Sequence, residues 1–220
     1  GGSLLLNNLG AGNGYIAQFT PGVGPDPVGM ISTPTQLVLG DDDQIDVASV
    51  GGTSGLTVGS NGWVALGAGN SNAFTPVVAT MLSNPATAFY SWKDLNPAST
   101  AAGNGTVQYE ENGNDARVTF DAVYNFGGTT PADTNTIQFS YNIASGDMIV
   151  SWGAISAGGT AVLCGLSLGG PNLDPGATDI SGSSTNAIVS GGVDVLPLSL
   201  SAIGRPVEGG STTTFDVTTG

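Results

Sequence analysis

The chain contains no histidine, one cysteine and only three basic residues, Lys93, Arg117 and Arg205. Each shortage removes a class of chemistry. Without an imidazole, neither a Ser–His nor a Cys–His nucleophilic device can be assembled. The lone Cys164 makes a poor zinc ligand set and forms no intrachain disulfide. Its neighbours Val162, Leu163 and Leu166 mark it as a small buried hydrophobe. Three cations against seventeen acids leave a formal net charge of −14. Phosphate-bearing partners are repelled by such a chain, so nucleic acid and anionic membrane surfaces are not expected. No apolar run reaches the ~18 residues of a membrane-spanning helix, so no membrane insertion is expected. Leu4-Leu5-Leu6 is too short and lacks the basic flank of a signal peptide, so a secreted form would be the mature chain.

What the chain does contain is glycine, 36 residues of it, and 40% hydrophobic residues, with only 9% charged. Ser, Thr, Asn and Gly must therefore supply solubility. This balance fits a secreted, loop-rich β-protein better than a cytosolic enzyme. It does not fit a disordered acidic tail, because strand patterns recur throughout. At 220 residues a single domain buries roughly 70% of its extended-chain surface, so no disulfide or metal is needed to hold a core.

The clearest pattern covers residues 135–152. Ile137, Phe139, Tyr141 and Ile143 alternate with Gln138, Ser140 and Asn142. Ala144-Ser145-Gly146-Asp147 supplies a turn, and Met148, Val150 and Trp152 alternate again. A period of two on both sides of a turn predicts a hairpin with one buried and one wet face. Further strands are predicted at 15–18, 35–39, 45–50, 56–58, 63–66, 87–92, 107–111, 118–123, 160–168, 187–189, 196–203 and 213–217. The nearly continuous apolar run 160–168 predicts a strand covered on both faces or central in its sheet. Ser60-Asn61-Gly62 is the hairpin turn before Trp63. Residues 74–83 predict the one helix, with Thr75 as N-cap and Pro76 at the first helical position.

The expected fold is all-β: an antiparallel two-sheet β-sandwich, jelly-roll-like, with one short helix. Residues 1–34 form an N-terminal segment, 35–195 the sandwich, and 196–220 C-terminal strands that begin a further β segment. For the apolar Leu4, Leu5 and Leu6 two readings stand. They belong to their own sandwich, as a frayed terminus, a short edge strand or an intramolecular strand folded back on it, or they are a strand donated to a neighbouring subunit.

Three ordered pieces carry a family resemblance: Val58-Gly59-Ser60-Asn61-Gly62-Trp63, then Phe89-Tyr90-Ser91-Trp92-Lys93-Asp94-Leu95, then Asn135-Thr136-Ile137-Gln138-Phe139 with Val162-Leu163-Cys164-Gly165-Leu166-Ser167. Together, across residues 37–170, they resemble the nidogen-like extracellular domain of large secreted bacterial surface proteins. Ser91 and Lys93 depart from the family's usual neighbours of the tryptophan, and an aromatic-rich stretch before Leu56 is missing. The resemblance implies a β-sandwich and an extracellular setting. It implies no catalytic residue.

Among site chemistries, calcium has the best local signal. Asp41, Asp42, Asp43 and Asp46 cluster in one turn, and calcium takes several hard oxygens. The spacing does not match an EF-hand, and a solvated acidic loop is the competing reading. Asn114-Asp115 and the Asp174–Asp179 region are weaker candidates. Of the three glutamates, adjacent Glu110 and Glu111 point to opposite strand faces, the wrong geometry for a glycosidase pair, and Glu208 stands alone. Trp63, Trp92 and Trp152 sit in apolar patterns and read as core rather than as sugar platforms. Asn104-Gly105-Thr106 fits an N-glycosylation sequon. The expected role is a non-enzymatic extracellular structural module, a self-assembling fibre or matrix subunit or an adhesion subunit. Its partners would be copies of itself, joined by strand addition, or other surface proteins. A glycan- or calcium-binding recognition module is the alternative, and a carboxylate hydrolase the third.

Overall fold

The computed structural model describes residues 1–10, 15–22, 24–25, 33–47, 55–69, 73–170 and 187–189. Among the described residues, thirteen strands form two antiparallel sheets. The first part of the chain holds β1 (Gly2–Asn8), β2 (Tyr15–Pro21), β3 (Thr35–Leu37), β4 (Gln44–Val47), β5 (Leu56–Gly59), β6 (Trp63–Ala65) and β7 (Ala88–Trp92). The second holds β8 (Thr106–Asn112), β9 (Asp115–Tyr124), β10 (Thr134–Asn142), β11 (Met148–Trp152), β12 (Leu163–Ser167) and β13 (Ala187–Val189). The larger sheet runs β13-β2-β1-β11-β10-β9-β8-β3, and the smaller runs β12-β7-β6-β5-β4. The predicted two-sheet sandwich is the architecture found.

The hairpin of residues 135–152 lies at the centre of the larger sheet. Phe139 faces Val150 and Ile137 faces Trp152 across β10 and β11. All four are at most 2% exposed. Their row continues through Phe120 and Val118 of β9 and into β1. Period-two alternation puts this whole row on one face, and that face packs on Val58, Val64, Phe89 and Leu166 of the smaller sheet. The other face of the smaller sheet is also covered. Trp63, Tyr90 and Trp92 meet Met81 and Leu82 of α1 (Val78–Leu82) there.

Three expectations need correction. The N-terminal segment is neither frayed, nor an edge, nor donated; it folds back on its own sandwich, where β1 pairs with β2 on one side and β11 on the other. Leu4 and Leu6 are 2% and 1% exposed and belong to the core, while Leu5, one residue out of phase, lies on the outer face. The physical reason is the same alternation, which matches Leu4 to Val150 and Leu6 to Met148. A domain boundary at residue 34 fails with it, because β1 and β2 share one sheet with β8–β11. The helix is shorter than predicted: Val77 is its N-cap, extended at φ −136°, ψ 122°, with no side-chain cap bond, and Thr75 does not cap. β-branched Val77, Val78 and Thr80 weaken helix propagation here. β12 is covered on both faces, the first of the two predicted settings, and it sits at a sheet edge. The strands predicted at 196–203 and 213–217 lie outside the described residues.

No helix among the described residues is long and apolar enough to cross a membrane.

Candidate functional site

The acidic turn is held by a buried asparagine. Asn61 is 1% exposed and follows β5 in a tight turn whose next residue, Gly62, has φ +79°. A Cβ on Gly62 would lie 2.5 Å from the Ser91 carbonyl, so the turn can press onto β7 only as glycine. Asn61 Nδ2 donates to Asp42 Oδ1 at 2.8 Å, and its Oδ1 accepts from the Leu95 N–H at 2.8 Å. The Lys93 N–H donates to the Asn61 carbonyl at 3.0 Å. One side chain thus ties the β3–β4 turn to the exit of β7.

That tie brings in an acid the turn sequence does not contain. Asp41, Asp42 and Asp94 each place a carboxylate oxygen within 4.8 Å of the others. Asp94 is positioned from both sides of its backbone. Its N–H donates to Thr160 Oγ1 at 2.9 Å, and its carbonyl accepts from the Phe126 N–H at 3.0 Å. Its Oδ1 is buried and has no hydrogen-bond partner among the described residues. Burial first, and then the charges of Asp42 and Asp41, push the Asp94 carboxyl above its ordinary value, with Lys93 partly offsetting them. Asp41 is raised likewise, by burial and then Asp42. Asp42 itself takes a left-handed φ of 48°, which aspartate tolerates better than most residues. Crowded carboxylates with an unsatisfied oxygen between two loops form an arrangement suited to a hard divalent cation, with carbonyls and water completing its shell.

The other two members of the predicted cluster do different work. Asp43 caps its own turn, accepting from the Gly40 N–H at 3.0 Å and the Gln44 N–H at 2.8 Å. Asp46 accepts from Thr57 Oγ1 across the β4–β5 ladder at 2.7 Å. Residues of one strand splay apart, so four acids close in sequence do not share one site. Asp94 escaped the sequence reading because it lies far from the acidic run. The available signal was an acid directly after the strand end Trp92-Lys93, inside the stretch that carries the family resemblance.

The remaining candidates resolve into architecture. Trp63, Trp92 and Trp152 are at most 1% exposed, as their pattern predicts. Cys164 is buried and free, its thiol pushed up to about 12 by burial. Asn104 Nδ2, the atom a glycan would occupy, donates to the carbonyls of Asn96, Pro97 and Ser99. Its Oδ1 accepts from the Tyr124 N–H at 2.9 Å. That is a loop anchor with its amide fully engaged. Asn114-Asp115 forms the β8–β9 turn, where Asp115 Oδ1 accepts from Asn142 Nδ2. Glu110 lies opposite Arg117, while Glu111 accepts from the Tyr109 hydroxyl at 2.6 Å. Asp174, Asp179 and Glu208 lie outside the described residues. The chain's described lysine, Lys93, is fully buried and donates through Nζ to the Gly158 and Thr160 carbonyls.

Searches of protein families, of curated proteins and of solved structures return no match to this chain.

Proposed function

We propose that the chain is a non-enzymatic structural module of an extracellular or cell-surface protein, joining copies of itself or neighbouring surface proteins along a sheet edge. The observation that carries this reading is β12. Among the described residues it pairs only with β7, four of its five residues are buried, and residues 160–168 contain no charge. Monomeric sheet proteins ordinarily blunt a sheet edge with lysine, proline or a bulge, because unpaired backbone groups there template another strand. Support also comes from the use of polar side chains. Asn61, Asn104 and Lys93 all bond remote backbone, which stiffens loops between the sheets. The resemblance to nidogen-like domains and the scarcity of lysine favour the extracellular setting. The strand donor is no longer residues 4–6, since these complete their own sheet.

The test is sizing and electron microscopy of the native protein across a wide concentration range. Concentration-dependent oligomers or filaments are expected, and they should be lost on Ala161→Lys, which sets a charge at an exposed position just before β12. A strictly monomeric protein at high concentration overturns the reading.

A calcium-type cation belongs to the same reading as a clamp. The buried, unpartnered Asp94 Oδ1 beside Asp41 and Asp42 favours it. Both loops of the cluster connect one sheet to the other, so a bound ion would brace the end of the sandwich.

A further inference from the structure

We propose that the outer face of the eight-stranded sheet carries a binding groove for a neutral oligosaccharide. The outer face of an antiparallel sandwich is ordinarily wet. Here its central row is sunken: Ser3, Ser151 and Gln138 are only 8%, 5% and 4% exposed. Above them lies an open cavity of about 540 Å³, within the ~300–1,000 Å³ of small-molecule sites.

The lining decides the ligand class. The floor is hydroxyl and amide: Ser3 Oγ and Ser151 Oγ share a hydrogen bond at 2.8 Å, and Gln138 Nε2 donates to Thr119 Oγ1 at 3.1 Å. Hydroxyl and amide groups can both donate to and accept from a hydroxylated ligand, whereas a lipid offers them nothing to bond. Leu5 and Ile149 line the cavity on neighbouring strands, which gives apolar surface for the C–H face of a sugar ring. At one end Asp115 and Asp147 are pre-oriented. Asp115 accepts from Asn142 Nδ2, and Asp147 accepts from the Asn8 N–H and from Ser145 Oγ. Arg117 also lines the cavity, with buried Glu110 directly opposite it in the ladder. One guanidinium is thus set against three carboxylates, in a chain of net charge −14, which disfavours an anionic ligand. A neutral molecule dense in hydroxyls, both donating and accepting, matches floor, sides and end together. The groove and the β12 edge lie on different sheets, so either can fail without the other.

The experiment is calorimetric titration of the full chain with neutral hexasaccharides of glucose (β1,4 and α1,4), mannose and N-acetylglucosamine, with a hexagalacturonate as the charged comparison. At least one neutral member should bind one-to-one with a Kd below about 1 mM, with little salt dependence. Ser140→Tyr fills the middle of the groove and should weaken that binding about tenfold or more. Ile149→Glu, at a position already 38% exposed, should keep its fold and weaken binding similarly. Asp121→Ala, exposed and outside the groove, should leave it unchanged. Melting curves establish that each variant is folded. No neutral binding at about 10 mM, binding of the galacturonate alone, or folded Ile149→Glu protein that binds like the parent overturns the proposal.

Discussion

Ser91→Ala tests how the two sheets are held in register. Trp152 belongs to β11 of the larger sheet and Ser91 to β7 of the smaller one. The Trp152 indole Nε1–H donates to Ser91 Oγ at 2.8 Å, and both residues are 0% exposed. Ser91 also lies opposite Cys164, whose thiol its hydroxyl contacts by hydrogen bond. Removing the hydroxyl adds no bulk and leaves a buried donor without an acceptor, which costs about 1–3 kcal/mol. For a domain of this size that lowers Tm by about 2–4 °C per kcal/mol, so a fall of about 2–12 °C is expected. The assay is urea denaturation of four proteins: parent, Ser91→Ala, Trp152→Phe and the double variant. Trp152→Phe costs stability through lost volume. In that background Ser91→Ala orphans no indole, so it should be close to neutral. The cycle should then show a coupling of about 1 kcal/mol or more. A Ser91→Ala loss under about 0.5 kcal/mol with unchanged m-value, or two losses that simply add, refutes a hydrogen bond that matters to the interface.

Asp94 gives a pH prediction with a definite sign. Its folded pKa is raised, so the native state binds more protons than the unfolded chain in the window from the ordinary aspartate value up to the raised one. Stability should therefore fall as pH climbs through that window and stay reduced at neutral pH, and Asp94→Asn should flatten this component and stabilise the cation-free protein at neutral pH. Calcium at neutral pH should raise Tm, chelator should lower it, and Asp94→Asn should abolish both responses, whereas melting indifferent to calcium and chelator removes the clamp. Gly105→Ala should destabilise severely, by about 3 kcal/mol or more, because its Cβ would fall 1.7 Å from the Asp121 carbonyl oxygen. A Gly105→Ala protein that melts like the parent would refute a close backbone crossing at this position.

Legibility in the sequence followed the range of the interaction. The β10–β11 hairpin, the Asn61-Gly62 turn and the β8–β9 hairpin are local, so periodicity and turn residues announce them. The three buried tryptophans follow from the same alternation. The place of β1 was hidden because its partner strand lies far along the chain, and three leucines look the same in an edge strand and in a central one. The candidate cation site was half visible for a similar reason. Asp41 and Asp42 advertise themselves, but Asp94 joins them only through Asn61 and Thr160, contacts that sequence proximity does not encode. The groove left no signal at all, since Ser3, Ser151 and Gln138 look like ordinary outward polar residues until their burial is known.

The placement of β1 has a consequence for the order of folding. Ser3 and Ser151 stand 148 positions apart, yet they touch in the middle of the larger sheet. As the chain emerges from the ribosome or a secretion pore, its first strand can pair with β2 at once but must wait for β11 to close the sheet. Non-local closure of this kind is slow, because loop entropy is lost before the contacts form. Until then an apolar two-stranded hairpin is exposed, a species prone to pairing with copies of itself. Refolding should therefore be slow and yield-limited at high protein concentration, with protection of the β1 amides appearing only together with that of β11.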